Sequence, residues 1–228
     1  MDFSGKSVIV TGAGGGIGEG YARACADRGM NVVIAEINET AGTNVANDIN
    51  TNGGKAIFVK TDVGSEESAN ACAAETIKAF GGINYLVNNA AIFGGMKSES
   101  YLTIDMEYLE KFMRINMHGC LIMTRAVVNS MIAQGGGSIV NQSSTAAWIG
   151  GGYYGVAKLA VNGITHSLAK ELGPKNIRVN AIAPGPTDTP ALHENASGYV
   201  DQILQTLALS RLGTPMDMAN AMLFLLSD

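Results

Sequence analysis

Several things are scarce in this 228-residue sequence, and each scarcity narrows what it can be. Charged residues make up only 15% of the chain and balance to −5. No run of five or six like charges occurs, so there is no clustered basic surface to neutralise a nucleic-acid backbone, and no nucleic-acid partner is expected. The three cysteines, Cys25, Cys72 and Cys120, lie far apart with no CxxC spacing. They read as small buried hydrophobes of a reducing compartment rather than as disulfides or metal ligands. His118, His166 and His193 are equally scattered, so no metal is expected. No apolar run approaches the ~18–20 residues that span a bilayer. The opening MDFSGK lacks the basic-then-apolar pattern of a secretion leader. The expectation is a cytoplasmic protein with no membrane partner.

What is plentiful is apolar material, 46% of the chain, enough for a sizeable core. Short apolar, often β-branched runs predict strands at Lys6–Thr11, Asn31–Glu36, Lys55–Lys60, Asn84–Val87, Ser138–Gln142 and Ile177–Ala183. Near-continuous apolar strands suit a parallel sheet covered on both faces. Helical spacing occupies Ile17–Gly29, Glu39–Asn52, Glu66–Phe80, Met106–Ala133 and Tyr154–Leu172. Strand alternating with helix implies right-handed crossovers and a doubly wound α/β fold. No linker or repeat interrupts the rhythm, so residues 1–228 are read as one domain. Only Pro184–Gly213 departs from it, and a long irregular stretch in a compact domain points to a functional segment, here a substrate lid around residues 187–210.

Two features carry chemistry. TGAGGGIG, Thr11–Gly18, follows the first strand and opens a helix. Its glycines Gly12, Gly16 and Gly18 let a backbone approach a pyrophosphate, whose charge then faces the helix amino terminus. Glu36 ends the second strand, where a carboxylate accepts from a ribose 2′-hydroxyl and repels a 2′-phosphate. No Arg or Lys lies between Gly12 and Gly18 to offset that repulsion, so NAD is expected over NADP. The second feature is YYGVAK, Tyr153–Lys158. Tyr154 and Lys158 stand four apart and share a helix face, whereas Tyr153 is followed at that spacing by Ala157. Tyr154 is the acid–base candidate and Tyr153 a packing or pocket-wall ring.

With TGAGGGIG, NNAA at Asn88–Ala91, YGVAK at Tyr154–Lys158 and PG at Pro184–Gly185 in this order, the chain resembles the short-chain dehydrogenase/reductase family over essentially its whole length. The resemblance implies a Rossmann-like sheet and an NAD-dependent oxidoreductase acting on an alcohol or ketone. It implies cofactor contacts at Gly12, Gly16, Ile17, Gly18, Asp62, Val63, Asn88, Ala90, Pro184, Gly185, Thr187 and Thr189, with Asn88 equally a brace for the sheet. Tyr154 and Lys158 would be catalytic, Lys158 also holding the nicotinamide ribose. Ser144 would polarise the substrate, with Ser143 and Thr145 as alternatives because the Ser144 to Tyr154 spacing is short. Asn116, a poor interior helix residue, would organise a kink and a water chain.

A tyrosine titrates near ~10, so base chemistry near neutrality asks for a fall of about 3 units, or roughly 4 kcal/mol. The Lys158 ammonium and a positively charged nicotinamide are the expected sources of that fall.

Ile92, Phe93, Trp148, Ile149 and Tyr153 predict an apolar pocket for a neutral, moderately hydrophobic secondary alcohol or ketone, with Trp148 equally suited to a subunit contact. Apolar residues on more than one face of Met106–Ala133 and Tyr154–Leu172 predict a homodimer or homotetramer. Relatives usually continue past AMLFLLSD through a final strand, so a missing carboxy-terminal strand is expected. A 3-oxoacyl thioester reductase and a non-catalytic NAD-binding regulator are the alternatives.

Overall fold

A computed structural model of the chain describes residues 3–196 and 198–227. Six strands, β1 (Ser7–Thr11), β2 (Asn31–Glu36), β3 (Lys55–Lys60), β4 (Tyr85–Asn88), β5 (Gly137–Gln142) and β6 (Ile177–Ile182), form one parallel sheet in the order β3-β2-β1-β4-β5-β6. The order reverses between β1 and β4. Winding outward in both directions from that seam opens a crevice at the carboxyl ends of the two strands, where doubly wound folds hold ligands.

Strand periodicity distributes the core. Val8, Val10, Val32 and Ile34 face one layer with Tyr21, Cys25 and Met222, while Ile9, Val33 and Ala35 face the other with Met123, Met131 and Leu168. The first layer is built by α1 (Gly16–Asp27), α2 (Glu39–Thr51) and α9 (Pro215–Leu226). The second comes from α3 (Glu66–Phe80), α5 (Gly119–Ala133) and α6 (Gly152–Leu172). With both faces covered, alternating side chains are all apolar, which is why the strands read as continuous runs. The three cysteines are free and buried in this packing. No described helix is long and apolar enough to cross a membrane.

The expected elements are all present, their ends shifted by at most two residues. Two differences are substantive. The expected helix Met106–Ala133 is α4 (Met106–Met113) and α5 separated by a π-helical turn, Arg114–His118, with Asn116 at its middle. The irregular stretch Pro184–Gly213 holds two short helices, α7 (Pro190–Asn195) and α8 (Val200–Thr206). A bridge between Thr187 and Gly213 closes its base. Ser197, inside the expected lid, lies outside the described residues. After it, α9 starts at a capping box in which Thr214 and Asp217 satisfy each other's backbone amides.

A buried polar ladder ties α6 to the sheet. Asn88 Nδ2 donates to Asn141 Oδ1 at 2.9 Å, and Asn141 Nδ2 donates to Thr165 Oγ1 at 2.9 Å. Removing the middle member takes one bond from each neighbour, leaving Asn88 Nδ2 with Cys120 O at 3.3 Å and Thr165 Oγ1 with Val161 O at 2.7 Å, and opens a buried gap between them. Asn141→Ala is therefore expected to lower stability by about 2–4 kcal/mol, read as a shift in urea midpoint; a loss under about 0.5 kcal/mol would mean the ladder contributes little.

Candidate active site

The glycine turn sits at the β1–β4 seam. Gly12 has φ +63°, and a methyl group there would lie 2.8 Å from Ala90 Cα; one on Gly18 would lie 2.1 Å from Gly12 O and 2.5 Å from Asn89 Nδ2. Neither position can carry a side chain without opening the seam. Asn89, which sequence reasoning did not single out, stitches it: Nδ2 donates to Thr11 O and Gly12 O, each at 3.0 Å. Thr11 Oγ1 in turn accepts from the amides of Asn89 and Ala90 at 3.0 Å.

The start of α1 is a fitting anion site. Its N-cap, Gly15, offers no side chain to the first-turn amides, and a methyl built on Gly15 would meet nothing within 4 Å. Free amides, a helix dipole and open space are what a pyrophosphate needs. Glu36 reaches back over this turn, accepting from Gly14 N at 3.1 Å through Oε2 and from Ile37 N and Asn38 N at 2.9 and 3.0 Å through Oε1. Asp62 is exposed and accepts from Gly64 N at 2.8 Å, while Val63 turns its side chain into the core. Asn88 is buried; its amide is spent on Asn141 and Cys120 O, and its Oδ1 has no protein partner.

On the far side of the crevice, Pro184 O accepts from Thr145 N at 3.0 Å and Gly185 O from Thr187 Oγ1 at 3.0 Å. Thr189 caps α7, and its Cγ2 lies 3.5 Å from where a Gly16 methyl would be. The structure thus brings Thr189 over the glycine turn at Gly16.

The end of β5 grips α6. Lys158 is 3% exposed and its Nζ donates to Gln142 O at 2.8 Å. Ser143 is 1% exposed, and its Oγ donates to Lys158 O at 3.1 Å. Ser144, one residue on, caps a short 3₁₀ turn over Thr145–Ala147 and lies close enough to Tyr154 to oppose the upward shift of its phenol. The three candidates differ in setting: Ser144 is half-buried beside the phenol, Ser143 is buried on the Lys158 carbonyl, and Thr145 is exposed in the 3₁₀ turn. Gln142, another residue the sequence did not flag, accepts the Tyr21 phenol proton on Oε1 at 2.5 Å, 121 positions away in the chain.

Asn116 is 3% exposed and clamps Ile92, accepting from its N–H at 2.7 Å and donating to its carbonyl at 2.9 Å. The kink expected there is the π turn itself. Thr11, Asn88, Asn116, Gln142 and Lys158 line an internal cavity of about 10 Å³ between the sheet, the π turn and α6.

The two tyrosines part company. Tyr153 is 4% exposed, its ring set edge-on at 4.7 Å to Phe112, and its hydroxyl donates to Lys97 O. It is a packing ring rather than open pocket wall. Tyr154 faces Phe93, centroids 5.2 Å apart. Trp148 and Ile149 are 64% and 78% exposed, out on the rim.

The electrostatics of the unliganded protein run against the expected acidic phenol. Burial raises Tyr154 above 10, opposed by the Ser144 hydrogen bond. The ammonium does not reverse this: Nζ is 5.7 Å from the ring centroid, and burial lowers Lys158 itself from 10.5 to about 8. At neutral pH Tyr154 is therefore a protonated phenol.

The sequence profile described as enoyl-(acyl carrier protein) reductase matches residues 12–228. The chain belongs to the short-chain dehydrogenase/reductase family. It is 52% identical to an uncharacterised oxidoreductase of Mycobacterium tuberculosis, covering 99% of this chain and 92% of that one. It is 37% identical to a 2,5-dichloro-2,5-cyclohexadiene-1,4-diol dehydrogenase of Sphingobium indicum, covering 100% and 92%. Among solved structures, a xylitol dehydrogenase with NAD+ bound superposes with TM-score 0.93 at 29% identity, covering 100% and 94%. A gluconate 5-dehydrogenase described as putative, from Beutenbergia cavernae with NADP bound, gives 0.91 at 30%, covering 100% and 92%. The chain is an oxidoreductase of short-chain type, and its crevice fits a nicotinamide dinucleotide.

Lys158 supplies a test of its surroundings. Between about 8 and 10.5 the unfolded chain holds this proton and the folded one does not, so this group's contribution to stability rises with pH across that window. Comparing urea unfolding of wild type and Lys158→Met, the difference is expected to move in favour of wild type by roughly 3 kcal/mol between pH 7 and pH 10.5. A flat difference would mean the ammonium titrates normally.

Proposed function

We propose that the protein transfers hydride between NAD(H) and a neutral, moderately hydrophobic secondary alcohol or ketone, with Tyr154 as the acid–base group. The observation that carries this is the cluster at the end of β5: Ser144 beside the Tyr154 phenol, and Lys158 buried one helical turn on, its Nζ 5.7 Å from the Tyr154 ring. When bound, the dinucleotide supplies or accepts the hydride. The residues that would hold it are the glycine turn Gly12–Gly18, Glu36 at the adenosine ribose, Lys158 at the other ribose, and Pro184–Thr189 at the carboxamide.

The chain's own part is the proton. Ser144 Oγ donates to the substrate oxygen and fixes it beside the Tyr154 hydroxyl. The protonated phenol is the form that delivers a proton to a carbonyl oxygen as it gains charge in reduction. In oxidation the same oxygen must take the alcohol proton, which needs added positive charge nearby. Glu36 supports NAD over NADP because a 2′-phosphate would meet a carboxylate already fixed by three amides. The relatives' names include a cyclic diol dehydrogenase and a polyol dehydrogenase, in keeping with hydroxyl-bearing carbon as the reacting centre. Phe93 against Tyr154, and no basic residue at Ala91–Gly95 or Ala146–Tyr153, support a neutral substrate.

A panel of alcohols, ketones and one enoyl thioester, each with NADH or NADPH (or the oxidised forms), tests this. Tyr154→Phe is expected to cut kcat by about 10³ while NADH affinity stays within about threefold. NADH is expected to bind at least about tenfold tighter than NADPH, a gap of about 1.4 kcal/mol that Glu36→Ala narrows. Unchanged turnover in Tyr154→Phe removes the mechanism, and turnover of the enoyl thioester alone removes the substrate class.

We also propose a homodimer or homotetramer built on α6, where Val156 and Leu159 are half exposed. Sedimentation is expected to show the oligomer, and Leu159→Glu to weaken it; a wild-type monomer at micromolar concentration overturns this.

A further inference from the structure

Asn195 lies at the end of the lid helix α7. Its Nδ2 donates to Phe93 O at 2.6 Å, and the same carbonyl accepts from Met96 N at 3.2 Å, closing a turn. At the other end of that turn, Lys97 O accepts the Tyr153 phenol proton, and Lys97 N donates to Tyr108 Oη at 3.2 Å. Gly94 makes room for the lid: a methyl there would stand 3.1 Å from Glu194 Oε2 and 3.5 Å from Ala191 Cβ. The Phe93–Lys97 turn is thus held from two sides, by the lid at its start and by α6 and α4 at its end.

The consequence lies in what the turn carries. Tyr153 and Tyr154 are consecutive on α6; the first holds the turn's backbone, and the second faces the turn's aromatic side chain, Phe93, at 5.2 Å. Anything bound beside the Tyr154 hydroxyl shares its space with that ring. The Tyr153 end of the grip is rigid, because its ring is packed edge-on against Phe112, Tyr108 and Tyr101. The Asn195 end is a single exposed hydrogen bond on a six-residue helix.

We propose that Asn195 and Tyr153 are specificity-determining positioning residues: together they clamp the Phe93–Lys97 turn and so fix the gap between Phe93 and Tyr154, selecting compact substrates over bulky ones. This rests on the oxidoreductase reading for its substrate arm, but the clamp itself can be read without turnover.

The first measurement is hydrogen–deuterium exchange on the unliganded full chain. Asn195→Ala, Asn195→Asp (same shape, no donor) and Tyr153→Phe are each expected to raise exchange across residues 93–97 by about fivefold or more, with melting temperatures within a few degrees of wild type. Exchange at 93–97 that stays unchanged in either Asn195 variant overturns the clamp, whatever the enzyme's substrate. The second measurement uses cyclohexanone and a phenyl-substituted ketone with NADH. Each variant is expected to lower the kcat/KM preference for the compact ketone about tenfold, through KM, with kcat on cyclohexanone within about threefold. Because both residues hold one turn, the double variant Tyr153→Phe/Asn195→Ala is expected to match either single within about twofold; effects that multiply would show two independent sites and overturn the proposal. Loss of kcat with preference unchanged would also overturn it.

Discussion

The constraint on which the rest depends is a buried ammonium. Lys158 is removed from water, and an isolated charge in such a place is costly enough that burial alone drives it toward neutrality. It persists because four consecutive residues at the end of β5 hold the helix that bears it. Asn141 bonds Thr165, Gln142 receives the lysine on its carbonyl, Ser143 bonds the lysine's own carbonyl, and Ser144 lies beside Tyr154. Strand alternation would normally send such neighbours to opposite faces. Here α6 passes over the strand's end closely enough for both faces and the backbone to reach it, and the grouping of Ser144, Tyr154 and Lys158 is a by-product of that grip.

A parallel sheet supplies this arrangement at low cost. Strands buried on both faces end at one edge, and the β1–β4 seam leaves space there for a flat, charged ligand. The seam is kept narrow by small residues and by the Thr11 and Asn89 stitches, while the substrate side is walled by longer loops. That division suits a family in which cofactor chemistry is shared and the relatives' named substrates differ.

Much of this was legible in the sequence because it depends on local spacing. The glycine turn, the Tyr154–Lys158 pair and the alternation of strand and helix are each set within about a dozen residues. What was not legible depends on distant partners. Gln142 meets Tyr21, and Asn89 closes on Thr11 and Gly12, and neither residue type announces its partner. The choice between Ser143 and Ser144 needed the register of β5, since one residue exchanges the faces. The short helices α7 and α8 span six and seven residues among Pro, Gly and Asn, too short for a helical period to stand out. Chain order also gives Tyr154 its proximity to a lysine without saying that the lysine is itself desolvated.

The π turn at Arg114–His118 has a consequence beyond the kink. One extra residue in a helical turn re-phases everything after it by about 100°. The π turn therefore sets the angle between the face of α4 that packs Phe112 against Tyr153 and the face of α5 that packs Met123, Val127 and Met131 on the sheet. Deleting one residue there would give a smoother helix that presents the wrong side to the core, so the insertion is fixed in length by the packing downstream as much as by Asn116.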